Sequence, residues 1–133
     1  IKPVKTKSKR RIPTWGIRPN LEIGANVTVR GKKAEDLLKR LFMAVKNTLK
    51  KSSFDNEGNV SFGVPEYINI PGVEYDSSIG IIGLEVAVTL QRPGFRIKRR
   101  RLKQRRIPRR HRIAKEEAVD FIKQTFNTTI IGA

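Results

Sequence analysis

The chain has 133 residues, with 29 Lys and Arg against 12 Asp and Glu, a formal net charge of +17, one His and no Cys. A chain of about 150 residues buries roughly 68–70% of its unfolded surface, so one domain with a modest core is expected and two independent domains are not. The missing Cys excludes disulfide scaffolds, thiolate zinc sites and thiol nucleophiles, an intracellular setting fits, and the charge excess calls for a polyanionic partner.

No stretch reaches the roughly 18–20 uninterrupted apolar residues of a membrane span, because the greasiest run, around Ile79 to Val88, is broken by Gly83 and Glu85. No membrane partner is expected. The chain opens Ile1-Lys2-Pro3-Val4 rather than with Met and carries no signal-peptide core, so the expectation is that a natural start has been removed.

Taken in order, Ile17 to Ile23 reads as strand material, and the β-branched run Asn26 to Arg30 as a strand leading to a turn at Gly31. The period then changes. Ala34, Leu37, Leu38, Leu41, Phe42, Val45 and Leu49 follow helical spacing over about four turns. Ser52 to Asn59 is turn chemistry, Val60 to Val64 is a short strand, and Pro65 to Asp76 is broken by Pro65, Pro71 and Gly72. Leu84, Val86, Val88 and Leu90 alternate with polar or small residues as a strand should. Ala118, Phe121, Ile122, Thr125 and Phe126 mark a second helix, opened by Glu116 and Glu117, and a short strand at Thr128 to Ile131 closes the chain. These elements predict an α+β domain over 1–133, in two layers, with a mostly antiparallel sheet covered on one side by helices.

The charge is not spread evenly. Residues 1–18 hold seven cations and no acid, and residues 92–115 hold thirteen, ten of them Arg, again with no acid. The other 91 residues carry nine cations and twelve acids. A polyanion binder concentrates charge in this way, and the Arg excess suits the forked recognition of RNA phosphates. Apolar residues recur inside the second block (Phe95, Ile97, Leu102, Ile107, Ile113), which marks a segment lying on a surface rather than a free tail. Trp15, with Arg11 and Arg18 nearby, either stacks on an exposed base or packs on the domain edge.

Catalytic chemistry has no foothold here. His111 stands alone among Arg109, Arg110 and Arg112 and reads as a contact or spacer residue. Asp55, Glu57, Glu74 and Asp76 lack calcium-loop spacing and read as loop carboxylates, so neither metal nor cofactor is expected. Gly58 to Gly63 and Gly80 to Gly83 match no phosphate-loop pattern and read as turns or bulges. A DNA-binding architectural protein is the alternative reading, and a nuclease using His111 the third.

Several runs resemble the large-subunit ribosomal protein five family: Lys2 to Lys9, Gly16-Ile17-Arg18, Ile23-Gly24, Val27 to Gly31, Phe54 to Gly63, Ile70 to Asp76 and Ile79 to Leu84. Their order and spacing cover essentially the whole chain. The block from Arg92-Pro93-Gly94-Phe95 to His111-Arg112-Ile113 is similar to the archaeal and eukaryotic branch. The resemblance implies a non-catalytic protein of the central protuberance of the large ribosomal subunit, in the cytoplasm. Its implied partners are 5S ribosomal RNA, large-subunit ribosomal RNA, the P-site tRNA and neighbouring ribosomal proteins, including one in the small-subunit head.

It further implies 5S contacts at Lys2, Thr6, Lys7, Arg18, Thr28 and Arg30, with Arg18 and Thr28 on the sheet side. The loop matching Arg10, Arg11, Ile12, Pro13, Thr14 and Trp15 is the one that reaches the tRNA. Large-subunit RNA falls to Arg96, Lys98, Arg99, Arg100, Arg101, Lys103, Arg105, Arg106, Arg109, Arg110 and Arg112. Two departures stand out. The strand and helix that normally precede the Lys-Pro segment, with their V-N-x-G-V-G-like motif, are missing. Ala114 stands where relatives carry Ser or Thr, which removes a capping box to Glu117 at about 1 kcal/mol of helix stability.

Overall fold

A Pro near the start of the chain sets the extent of the first strand pair. β1 (Val4–Lys7) pairs antiparallel with β2 (Glu22–Asn26), with Val4 opposite Asn26 at the outer end. The next residue outward on β1 is Pro3, which has no N–H to donate, and the ladder stops there. The expected strand over 26–30 is therefore corrected: the paired residues lie at 22–26, and Val27 to Arg30 run unpaired to the turn at Gly31. A bulge between Thr6 and Lys7 absorbs one residue, and Gly24 faces Thr6 so closely that a Cβ there would sit 2.8 Å from its hydroxyl oxygen.

The computed structural model describes residues 1–132 and divides into two compact units, Ile1–Leu37 and Leu38–Ala133. In the first unit, the fourteen residues between β1 and β2 fold back on themselves as an arm. Ser8 and Leu21 bond across its base (Ser8 N–H to Leu21 C=O, 2.8 Å), and Ile12 and Ile17 exchange two backbone bonds near its tip. A 3₁₀ turn over Pro13–Trp15 closes it, with Gly16 at φ 64° completing the reversal.

α1 (Lys32–Ala44) runs across the chain division and supplies Leu41 and Phe42 to the core of the second unit. Helical spacing extends to Leu49, but the helix itself stops short of it. Lys46 and Asn47 adopt φ 57° and 52°, and their N–H groups bond back to Met43 and Phe42 (3.1 and 2.7 Å), the double reversal of a Schellman stop. Leu49 instead lies on β3 (Thr48–Lys50), only 3% exposed, and β3 pairs in parallel with β6 (Thr129–Ile131).

β4 (Asn59–Val64) and β5 (Leu84–Thr89) form the third ladder, antiparallel. Their register places Val60 opposite Val88, Phe62 opposite Val86 and Val64 opposite Leu84, so one face of the pair is entirely apolar. Ser61, Gly63, Glu85 and Ala87 fall on the other face, in solvent. α3 (Lys115–Phe126) brings Ala118 and Ile122, both fully buried, onto Phe42, Leu49, Phe54 and Val60. Phe42 stacks on Phe62 and tilts against Phe126, with centroids at 5.3 and 5.1 Å. The fold is thus α+β, mostly antiparallel, with its strands distributed over three two-stranded ladders.

The turn entering β4 is built by Asp55. One carboxylate oxygen accepts from the N–H groups of Glu57 and Asn59 (2.9 and 2.8 Å), and the other from the Asn59 side-chain amide at 2.6 Å. Burial pushes this carboxyl up, but the Asn59 and Glu57 bonds together outweigh it and hold it below its ordinary value. Gly58 sits at φ 81°, and a Cβ there would lie 2.9 Å from Cβ of Ile113.

At the start of α3, Ala114 offers no side-chain cap, and Glu117 reaches sideways to Arg92 (2.6 Å). Ala114→Ser supplies the missing acceptor, and urea denaturation is expected to show a gain of about 1 kcal/mol. A loss of stability would mean that Glu117 cannot leave Arg92 and that the capping argument is wrong.

Candidate nucleic-acid interface

Neither basic segment is the unstructured attachment that its charge suggests. The first contains β1 and the arm. Along the arm, Arg10, Arg11, Pro13, Thr14 and Trp15 are exposed, with Ile12 half-buried at the bridge to Ile17. Trp15 is 74% exposed, so the packing alternative for it fails and its indole is free for stacking. Of the expected 5S residues, Thr6 and Lys7 lie on β1, Lys2 precedes it, and Arg18 lies on the returning side of the arm. Thr28 and Arg30 lie in the unpaired run beyond β2, and all but the half-buried Thr6 are exposed.

The second segment is folded by apolar pins and by its own backbone carbonyls. After Arg92, fixed to Glu117, the chain turns at Gly94 (φ 99°) into α2 (Arg96–Arg99), with Phe95 tilted against the His111 ring at 5.5 Å. His111 Nε2 lies 2.7 Å from the Pro93 carbonyl, so this nitrogen is the donor, and the residue ties the two ends of the segment together. Arg105 N–H bonds to Ile97 C=O (3.0 Å), and Gln104 donates its amide to Lys98 C=O. Arg100 donates twice to Lys103 C=O (3.0 and 2.8 Å), and Arg112 Nε donates to Ile107 C=O (3.1 Å). Ile107 is buried, 5% exposed, and Ile113 packs on the core beside Gly58.

All eleven cations expected on large-subunit RNA are exposed. Among the described residues, only Lys5 and Arg92 of the whole chain meet a carboxylate, Lys5 with Glu22 at 3.1 Å. The remaining positive charge is free for a partner. Lys98, Arg99, Arg105, Arg106 and Arg112 line an open groove of about 640 Å³. Its other walls come from the Asp55 turn (Glu57, Asn59) and the end of β5 (Thr89, Leu90, Gln91), with Phe95 and Ile107 as apolar floor. Sequence reasoning missed Glu57, Asn59, Leu90, Gln91 and Gln104 as members of any site, since each reads as ordinary turn or strand chemistry on its own.

Asp76 is occupied in the same way as Asp55: the hydroxyl and the N–H of Ser78 bond to it and hold its carboxyl below the ordinary value. Among the described residues, no three His, Asp or Glu gather as they would around a metal ion. No helix is long and apolar enough to cross a membrane.

An α+β body whose surplus cations are exposed, unpaired and held in defined segments is a polyanion-binding protein. Residues 22–121 match the family model that describes the C-terminus of the ribosomal protein five (uL5) family. The chain is 54% identical over 132 residues to the large ribosomal subunit protein uL5 of Sulfurisphaera tokodaii, covering 98% of this chain and 75% of that protein. It is 50% identical over 131 residues to the uL5 of Sulfolobus acidocaldarius, covering 98% and 74%. With the uL5 of Nanoarchaeum equitans it shares 50% identity over 131 residues, covering 98% and 77%. The chain belongs to the ribosomal uL5 family, whose members are structural, non-enzymatic components of cytoplasmic ribosomes.

Ile107→Ala leaves every charge in place and removes the buried pin of the basic segment. Such truncations cost roughly 2–5 kcal/mol where the site cannot collapse. Tryptic cleavage after Arg112 is expected to accelerate about tenfold or more, through local opening. Unchanged cleavage would show that Ile107 does not hold the segment.

Proposed function

We propose that this chain is a structural constituent of the large ribosomal subunit that binds 5S and large-subunit ribosomal RNA in the central protuberance and contacts the P-site tRNA. The carrying observation is the division of its free positive charge into two ordered segments of a chain that is otherwise nearly neutral. In this reading, residues 92–115 anchor the chain in large-subunit RNA, chiefly through phosphates, since Arg-rich surfaces position backbones rather than read bases. β1, Arg18, Thr28 and Arg30 take the 5S RNA. Trp15 and the cations Arg10 and Arg11 offer the tRNA a stacking surface next to charge.

Residues 52–91 suit a different partner. They hold six acids and no cation. Their 65–83 stretch exposes Tyr75, Ile79, Ile81 and Ile82, each more than half exposed. RNA is repelled by such a surface, whereas a basic neighbouring protein, such as one in the small-subunit head, is attracted to it.

Filter binding of 5S RNA across a salt series checks the assignment. A steep negative log–log slope is expected, because each neutralised phosphate releases counterions. Arg18→Ala with Thr28→Ala is expected to weaken 5S binding more than the same loss of charge within 99–106. Equal losses would remove the 5S assignment, and duplex DNA competing as well as structured RNA would favour the architectural reading instead.

A further inference from the structure

The groove beside β5 has walls that a phosphate backbone alone does not need. Arg99, Arg105 and Arg106 provide charge on one side, while Leu90, Phe95 and the buried Ile107 provide an apolar floor, and Glu57 and Asn59 close the far side. A stretch of paired RNA presents phosphates and sugars, with its bases stacked away from any such floor. A bare phosphate has no use for Leu90 and Phe95, and Glu57 repels it. The volume of about 640 Å³ lies within the ~300–1,000 Å³ common for pockets that take one small molecule.

We propose that this groove seats a single unpaired nucleotide extruded from an RNA strand. The inference rests on the RNA-binding reading above. The phosphate of that nucleotide lies toward Arg105 and Arg106. The base lies over the apolar floor at Phe95 and Leu90, where an aromatic ring gains by stacking whichever base is present. Glu57 is an acceptor only, and Asn59 keeps its carbonyl oxygen for accepting while its amide serves Asp55. The far wall therefore favours a base with an exocyclic amine, such as cytosine, over uracil.

The test follows the methyl resonances of Leu90 and Ile107 in the full chain during titration with cytidine 5′-monophosphate, uridine 5′-monophosphate and ribose 5-phosphate. The cytidine compound is expected to shift both methyls saturably, about tenfold more tightly than ribose 5-phosphate and several-fold more tightly than the uridine compound. Arg105→Gln with Arg106→Gln, both on exposed positions, is expected to weaken it about tenfold, and Glu57→Gln to erase the preference for cytidine. A hairpin with one bulged cytidine is expected to produce the same shifts, and a fully paired hairpin none.

Equal binding of ribose 5-phosphate would reduce the groove to a phosphate collector and overturn the proposal. So would a free nucleotide that binds while the bulged hairpin does not. If structured RNA is retained on filters but the groove methyls never move, this inference fails and the RNA-binding reading stands. If no RNA is retained at all, both fail.

Discussion

Thirteen positive charges within 24 residues repel one another, and a segment of that kind forms a defined surface only if something else holds it down. Neighbouring unit charges a few ångströms apart in water repel by about 1 kcal/mol per pair, screened over roughly 8–10 Å. Against this stand a few pins. Burial of Ile107 contributes about 1.5–3 kcal/mol by itself, and Ile113 packs where Gly58 leaves room for it. Exposed pairs such as Arg92 with Glu117 contribute little energy, about 0–1 kcal/mol, but here the pair fixes where the segment leaves the body. The arginines help too: Arg100 and Arg112 spend N–H groups on carbonyls within the segment and keep others free.

The core that receives these pins is small and therefore depends on a few aromatic contacts. Phe42 meets Phe62 and Phe126 directly, so one helix residue joins the β4–β5 ladder and α3. The acid-bearing turn before β4 serves two purposes, since Asp55 closes the loop and Gly58 admits Ile113. Loop chemistry and the order of the basic surface are coupled at that point. The arm of the first unit is ordered differently, by backbone bonds across its base and tip, and this leaves Trp15 exposed without an apolar pin.

Both long helices, the β4–β5 strands and the closing strand were legible from periodicity, because each buries one face and the pattern records it. Leu49 was misread because a residue seven positions after Phe42 fits a helix as well as it fits a buried strand position. Only the stop at Lys46 and Asn47 separates the two. Val27 to Arg30 have strand composition but no partner beyond Pro3, and pairing is a property of two segments that propensity cannot see. The charge segments were plain in the sequence, whereas their internal order was not. The groove was hidden because its walls come from residues 57–59, 89–91 and 95–112, which share no motif. The assignment of particular residues to 5S RNA or tRNA came from family resemblance and not from spacing.

The central claim is that the basic surface is built before any partner arrives. Amide hydrogen exchange on the free chain measures this most directly. Arg105, bonded to Ile97, and His111, bonded to Pro108, are predicted to exchange at least about tenfold more slowly than unstructured peptide without any RNA present. Exchange at the unstructured rate throughout 92–115, slowing only when RNA is added, would contradict the account.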